Sequence, residues 1–305
     1  MKNFKQLALI GSTASGKTSL SIKLAKDMNA YILSLDSLSI YKDIDIVSAK
    51  PTIQEREGIK HFGLDIISPN ENFDVTTFIK LYHEVHNKCL EDNKNLIIVG
   101  GTSFYLKMLL EGISHLPHIS TDTKEKVSIH LQDIEKTYQW LKSIDNNYMS
   151  KIEATDSYRI EKALTIYLET DYTPSEYFAK FSPLPTISKP LPIYQLTWDR
   201  DLLNKRIALR TSTMVNSGLI DEIYMLEKKY SRAPNCMKSI GIKETLAFLD
   251  GIYDKNMLIE KITINTRRLA KRQNTFNTSQ FKNVTKGDIM TLEKILNHEL
   301  VSNTL

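Results

Sequence analysis

The chain has 305 residues, 41% hydrophobic and 25% charged, with a formal net charge of +4. That length holds one large domain or two smaller ones with real cores, and the mixture is that of a globular protein rather than a disordered or fibrous one. The two cysteines, Cys89 and Cys236, are too far apart for a disulfide framework or a zinc spacing and read as buried thiols in a reducing cytoplasm, while no apolar run reaches membrane-spanning length or carries a signal-peptide cleavage pattern.

Residues 7–10, Leu-Ala-Leu-Ile, predict a short buried strand, and residues 19–26 carry Leu20, Leu24 and Ala25 at helical spacing. Between them stands Gly11-Ser12-Thr13-Ala14-Ser15-Gly16-Lys17-Thr18, which fits the phosphate-loop pattern G-x-x-x-x-G-K-[ST]. The glycines let the backbone curl so that successive N–H groups point at an anion, and the helix N-terminus adds partial positive charge. Lys17 brings a full charge, and Thr18 offers a hydroxyl to Mg²⁺. A phosphate or diphosphate binds here; the loop alone does not say which molecule carries it.

Residues 31–35 predict a second strand that ends at Asp36-Ser37-Leu38-Ser39. Ligands in an open α/β sheet gather at the carboxyl ends of strands, which brings Asp36 near the phosphate loop. A turn or N-cap role for Asp36 is the competing reading, and the residue alone does not separate the two. Residues 41–52 are irregular and stop at Pro51. Residues 61–69 predict a strand and turn, followed by a helix near 75–91 that buries Phe78, Leu81, Tyr82 and Val85 and leaves His83 and His86 as ordinary exposed or capping residues. The most apolar strand, residues 96–99, runs into Gly100-Gly101-Thr102-Ser103 and a helix over 104–110. An ATPase or GTPase usually carries a metal-holding acid at such a strand end; glycines stand there instead, which argues against nucleotide hydrolysis.

From about residue 117 to 192 the texture becomes helical. Residues 124–143 are amphipathic, and Ile160, Ala163, Leu164, Tyr167 and Leu168 mark a clear helical stripe over 156–170. Pro183, Pro185, Pro190 and Pro192 make a stiff connector, and residues 193–197 return to the sheet. Helices dominate from Arg200 onward. Arg206 and Arg210 share one helix side. The last helix, over 257–276, has a basic far end, with no acid from Lys261 to Gly287 and with Arg267, Arg268, Lys271 and Arg272 on consecutive turns. A solvated face would mix both signs; basic residues interleaved with amides and an aromatic suit phosphate contacts and base stacking. The expected architecture is an α/β fold: a P-loop NTPase-like parallel sheet core over 1–116 and 193–305, an inserted all-helical domain over 117–192 and a helical C-terminal region.

Taken together, the loop at 11–18, Asp36-Ser37-Leu38-Ser39-Ile40-Tyr41-Lys42, Ala49-Lys50-Pro51-Thr52, Val99-Gly100-Gly101-Thr102 and Arg267-Arg268-Leu269-Ala270-Lys271-Arg272-Gln273 resemble the tRNA dimethylallyltransferase (tRNA isopentenyltransferase) family, in the family's order and across nearly the whole chain. The resemblance implies transfer of a dimethylallyl group from dimethylallyl diphosphate to N6 of the adenosine 3′-adjacent to the anticodon, with Mg²⁺ as cofactor, in a cytoplasmic monomer. It implies that the loop from Gly11 to Thr18 holds the diphosphate. Asp36 would be the general base, and Thr102 would lie near the bridging oxygen of the leaving group. Lys17 and Arg210, or in its place Arg206, would steady the diphosphate. It also places tRNA contacts at Asp36, Ser37, Leu38, Ser39, Tyr158, Arg159, Lys162, Lys238, Lys243, Arg268, Lys271, Arg272 and Gln273. The chain departs from the family pattern in Ser12 for the usual Pro, Lys42 for a frequent Arg, and Thr275-Phe276-Asn277-Thr278 where a Trp followed by Arg is common. A small-molecule P-loop kinase, which leaves the basic helix unused, an adenylate isopentenyltransferase and a non-catalytic RNA-binding protein are the alternatives to that reading.

Overall fold

The computed structural model describes residues 4–114 and 116–302. In chain order its elements are β1 (Gln6–Gly11), α1 (Lys17–Asp27), β2 (Ala30–Leu35), β3 (His61–Phe62), α2 (Val75–Glu91), β4 (Asn95–Gly100), α3 (Ser103–Glu111), α4 (Thr121–His130), α5 (Ile134–Ile144), α6 (Asn146–Met149), α7 (Ser157–Thr170), α8 (Pro174–Lys180), β5 (Ile193–Leu196), α9 (Arg200–Asn216), α10 (Leu219–Tyr230), α11 (Ile242–Leu249), α12 (Lys255–Gln280), β6 (Val284–Gly287) and α13 (Ile289–Ser302). They form two compact units, one up to Lys107 and again from Lys189, the other Met108–Ser188.

The first unit is built on a six-stranded sheet in the order β3-β2-β4-β1-β5-β6, with every neighbouring pair parallel. Parallel strands are covered on both faces, and the apolar runs read from the sequence show why. Leu7, Leu9, Ile32, Ile97, Tyr194 and Leu196 pack on one face against α1 and α13, through Leu20, Leu24, Leu292 and Leu296. Strand alternation turns Ala8, Ile10, Leu33, Leu35, Leu96 and Ile98 to the other face, where they are equally buried. With β1 and β4 adjacent at the centre, their carboxyl ends bring the phosphate loop and the Gly100–Gly101 turn side by side.

The structure differs from the sequence expectation at both edges of the sheet. The strand expected over 61–69 joins the sheet at His61 and Phe62, then breaks where Gly63 and Asp65 take up positive φ, and Ile67 makes an isolated parallel bridge to Tyr41. At the far edge β6 pairs with β5, inside what reads as a purely helical C-terminal region. Its four residues, Val-Thr-Lys-Gly, are too few and too polar to show a strand pattern, and α13 behind it supplies the buried Leu292 and Leu296.

The helical unit has its own core of Val127, Tyr138, Leu141, Met149, Ile152, Ile160, Ala163 and Leu164. The amphipathic segment 124–143 is two helices, not one. The first ends at His130 with Leu131 as its C-cap, and Asp133 caps the second by accepting the Lys136 N–H at 3.0 Å. The short helix α8, unread in the sequence, is started by a capping box between Thr173 and Glu176 with Pro174 at its first position. Buried Asp145 ties this helix to α6, accepting from Tyr148 N, Ser175 N and Ser175 Oγ.

Gly100 lies where β2 and β4 converge. A Cβ there would stand 2.4 Å from Leu35 O and 2.6 Å from Leu35 C, both backbone atoms of the central sheet. Overpacking of this kind costs about 1–3 kcal/mol or more. Gly100→Ala is therefore expected to lower the urea midpoint by a corresponding amount, and an unchanged midpoint would show that the two strands can part at no cost.

Candidate active site

The phosphate loop begins where β1 ends and closes on the first residue of α1. Gly16 is the helix N-cap at φ 90 and brings no side-chain cap, so the first-turn amides are left for a ligand. Lys17 folds back over the loop and donates from Nζ to Ser12 O at 2.7 Å and to Ser15 Oγ at 3.4 Å. Burial lowers its pKa to about 8; Arg210 pushes in the same direction and Asp36 opposes.

The outer side of the loop is held by side chains that the motif does not contain. Arg206 on α9 donates from Nε to Ala14 O at 2.8 Å, and Trp198 Nε1 donates to Ser15 O at 2.8 Å. The guanidinium of Arg206 lies 4.4 Å from the Trp198 ring centroid. Ala14 has φ 61, a left-handed conformation that costs a non-glycine residue about 1–2 kcal/mol, and this clamp holds it there. From the other direction Gln273 on α12 accepts the Thr13 N–H at 2.9 Å and donates to Gly101 O at 3.1 Å.

Asp36 follows β2 directly. Its Oδ1 accepts from Leu38 N at 2.8 Å and from Ser39 N at 3.2 Å, so among the described residues its hydrogen bonds go to one oxygen. Thr102 ties the ends of β2 and β4 together: its N–H donates to Leu35 O at 2.9 Å and its Oγ1 accepts from Ser37 N at 3.3 Å. The hydroxyl hydrogen of Thr102 is thus left to donate elsewhere. Arg210, one turn beyond Arg206, is drawn below its ordinary pKa first by burial, while Asp36 raises it and Arg206 lowers it further. Of the two arginines, Arg206 is spent on the loop's back and Arg210 faces the open space.

Two cavities meet at these residues. A small one of about 120 Å³ lies over the loop and is lined by Lys17, Thr18, Asp36, Lys50, His61 and Arg210 among others. A larger one of about 420 Å³ is also lined by Asp36, Thr102 and Arg210, and extends to Lys238, Lys243 and Arg272. Asp36, Arg210, Thr13 and Gln273 belong to both walls. Thr102 is in the wall of the larger one only.

The segment 41–52 is pinned against this site by the buried Lys50 and the half-buried Glu222. Lys50 Nζ donates to Tyr41 O at 2.9 Å, Asp45 Oδ1 at 2.6 Å and Asp65 Oδ1 at 2.5 Å. Glu222 on α10 accepts from Asp45 N, Ile46 N and Val47 N, and burial raises its pKa despite those bonds. Neither role shows in the sequence, because both partners are met only after folding.

The residues expected to touch RNA fall into separate groups. Ser37 is exposed beside Asp36, Leu38 is half-buried, and Ser39 is buried with its hydroxyl 3.2 Å from Ser34 Oγ. Lys238 and Lys243 are exposed at the rim of the larger cavity, and Arg268, Lys271 and Arg272 are exposed on α12. Gln273 is the exception, since its amide is engaged within the protein. Tyr158, Arg159 and Lys162 belong to the helical unit, at the start of α7. There Arg159 pairs with Asp156 and Lys162 lies 5.4 Å from the Tyr158 ring centroid. In the stretch that departs from the family pattern, Phe276 packs edge-on to Phe281, and Asn277 is fully buried. The Asn277 amide and Ser103 Oγ have no hydrogen-bond partner among the described residues, and both residues line a cleft of about 210 Å³ with room for ordered water.

For Mg²⁺ the donor set is sparse. No cluster of three or more His, Cys, Asp or Glu exists among the described residues, and Asp36 is the acid in the wall of the small cavity, which Thr18 also lines. That set fits Mg²⁺, which keeps several waters and binds through one or two protein oxygens plus substrate phosphates.

Comparison with known proteins gives a consistent picture. The model of the IPP transferase family matches residues 39–280. The tRNA dimethylallyltransferase of Sulfurovum sp. (strain NBC37-1) is 66% identical over 292 residues, covering 96% of this chain and 97% of that protein. Among solved structures, the full-length tRNA isopentenylpyrophosphate transferase of Bacillus halodurans has a TM-score of 0.71 at 29% identity, over 99% of this chain and 98% of the other. A eukaryotic dimethylallyltransferase captured acting on tRNA has a TM-score of 0.82 at 27% identity, over 93% of this chain and 74% of the other. No helix among the described residues is long and apolar enough to cross a membrane.

The lowered pKa of Lys17 has a direct consequence. Below about pH 8 its ammonium is charged in the empty site, and above that it is neutral. Binding of inorganic diphosphate to the free protein, followed by calorimetry, is expected to weaken as pH rises through about 8. Lys17→Arg, charged throughout, should lose that inflection; an inflection that persists in the variant would assign it to another group.

Proposed function

The chain belongs to the IPP transferase family, and we propose that it transfers the dimethylallyl group of dimethylallyl diphosphate to the exocyclic N6 of the adenosine 3′-adjacent to the anticodon of tRNA, position 37. The products are N6-isopentenyladenosine and diphosphate. The observation that carries this reading is the placement of Asp36 and Arg210 in the walls of both cavities, one over the phosphate loop and one running out to Lys238, Lys243 and Arg272. One cavity is suited to the diphosphate and the other to a base delivered from RNA.

In the reaction the adenine N6 attacks C1 of the dimethylallyl group as the C1–O bond to diphosphate breaks. Attack builds positive charge on nitrogen and departure builds negative charge on the leaving group. The second carboxylate oxygen of Asp36 takes the proton from N6, and its first oxygen stays bonded to Leu38 N and Ser39 N, which fixes its aim. Lys17, Arg210 and the amides at the start of α1 meet the charge on the diphosphate. The Thr102 hydroxyl, accepting from Ser37 N, donates its own hydrogen toward the bridging oxygen. Thr18 would hold Mg²⁺ against the diphosphate, and the ion, when bound, supplies further neutralisation of the leaving group. A base in an anticodon loop must leave its stack to enter, at a cost of a few kcal/mol, and the exposed Arg268, Lys271 and Arg272 supply phosphate contacts that offset it.

The direct test is incubation with dimethylallyl diphosphate and unmodified tRNA, followed by mass analysis of the nucleosides. Asp36→Asn keeps the Oδ1 acceptor for the turn and removes the base. Turnover should fall by about 10²–10⁴ with RNA affinity nearly unchanged. Retention of near-normal turnover would remove Asp36 from that role. Lys271→Ala should weaken tRNA binding and reduce the slope of log K against log salt by about 1; an unchanged slope would place the RNA path away from α12.

A further inference from the structure

Gln273 lies within the basic run of α12, next to Arg272, yet both ends of its amide are turned inward. Oε1 accepts from Thr13 N, in the loop after β1, and Nε2 donates to Gly101 O, in the turn after β4. The approach is close: a Cβ at 101 would stand 2.5 Å from Nε2, so any larger residue there would push the amide aside. The peptide unit that Gln273 holds is the one between Ser12 and Thr13. Its N–H goes to Gln273, and its carbonyl oxygen, Ser12 O, accepts the Lys17 ammonium at 2.7 Å. One amide on α12 therefore fixes the plane of the peptide on which the phosphate-binding lysine rests.

We propose that Gln273 is a positioning residue that couples RNA binding on α12 to diphosphate binding in the loop. This rests on the reading of α12 as an RNA-binding helix. RNA seated on Arg268, Lys271 and Arg272 immobilises this part of the helix, and with it the Gln273 amide, the 12–13 peptide and the Lys17 ammonium. The loop is then pre-set for diphosphate and less ordering remains for the ligand to enforce. By linkage, diphosphate in the loop tightens RNA binding by the same factor. The connection is a chain of named hydrogen bonds, from Gln273 to Thr13, through the peptide to Ser12, and on to Lys17.

The test uses the full chain, inorganic diphosphate with Mg²⁺, and an anticodon stem-loop RNA in which the target adenosine is abasic. The missing base removes direct contact between adenine and the diphosphate site. Diphosphate affinity is measured by calorimetry with and without saturating hairpin. In the native chain the hairpin should tighten diphosphate binding at least about fivefold. Gln273→Leu should abolish that factor while still binding hairpin. Gly101→Ala, which displaces the amide from the opposite side, should do the same and serves if Gln273→Leu does not fold. Lys271→Ala should weaken hairpin binding yet keep the factor at saturation, an outcome that a general loosening of α12 would not give. Equal diphosphate affinity with and without hairpin in the native chain, or a factor that survives in both Gln273→Leu and Gly101→Ala, would overturn the proposal. A hairpin that does not bind the native chain would instead overturn the RNA reading of α12, and this inference with it.

Discussion

A loop that aims its N–H groups at an anion must aim its carbonyl oxygens away from it, and those oxygens then need donors of their own. Much of the site follows from this constraint. Ser12 O takes the Lys17 ammonium, Ala14 O takes Arg206, Ser15 O takes Trp198, Gly16 O takes Ser19 Oγ, and Thr18 O takes Ser21 Oγ. Only the donors at positions 17, 19 and 21 are local. Arg206 and Trp198 come from beyond residue 193, and Gln273, which holds the Thr13 N–H, comes from later still. The downstream helices therefore shape the phosphate loop itself, and do more than present a surface to a second substrate. The left-handed Ala14 shows the same dependence, since a conformation costing about 1–2 kcal/mol persists only where its surroundings hold it.

The charges follow a related logic. Lys17, Arg206 and Arg210 converge on one region with Asp36 as the nearby acid, and burial pushes the pKa values of Lys17 and Arg210 down. Like charges in a poorly solvated place are a cost to the empty site, and the proposed diphosphate would remove that cost on arrival. The two arginines divide the work by helix geometry. Four residues apart, they share a face of α9, but the turn between them puts Arg206 behind the loop against Trp198 and Arg210 in front of it. Their spacing fixes a shared face and says nothing of depth, so the sequence alone does not separate them.

Features carried by contiguous residues were legible in the sequence. The strand–loop–helix at 6–27, the glycine turn after β4 and the long basic helix α12 all follow from local pattern. What escaped depends on partners distant in sequence. Trp198 reads as an ordinary aromatic until Ser15 O is placed against it. Lys50 could be quoted within a motif, yet its burial among Asp45, Asp65 and Tyr41 O exists only in the folded chain. Gln273 stands in a stretch where the resemblance implies RNA contacts, while its amide bonds inward to Thr13 N and Gly101 O, partners that no local pattern reveals. The edge strand β6 was missed because four polar-leaning residues carry no periodicity, and only pairing with β5 defines them.

Asp36 shows how two readings that compete in sequence can share one side chain. The turn role and the proposed acid–base role fall to different carboxylate oxygens: Oδ1 is bonded to the amides of Leu38 and Ser39, and Oδ2 is not. In the proposed reaction this division matters for timing as well as for aim. A carboxylate is too weak a base to deprotonate an aromatic amine in its ground state. It becomes competent only as the C–N bond forms and the nitrogen acquires positive charge, so the proton moves late. The advantage of a weak, fixed base is that it waits for that charge without first having to be found by it. The two amides that hold Oδ1 supply the fixing, and the backbone of Asp36-Ser37-Leu38-Ser39 supplies the amides, so the motif's spacing is set by the turn while the proposed chemistry falls to the oxygen the turn leaves free.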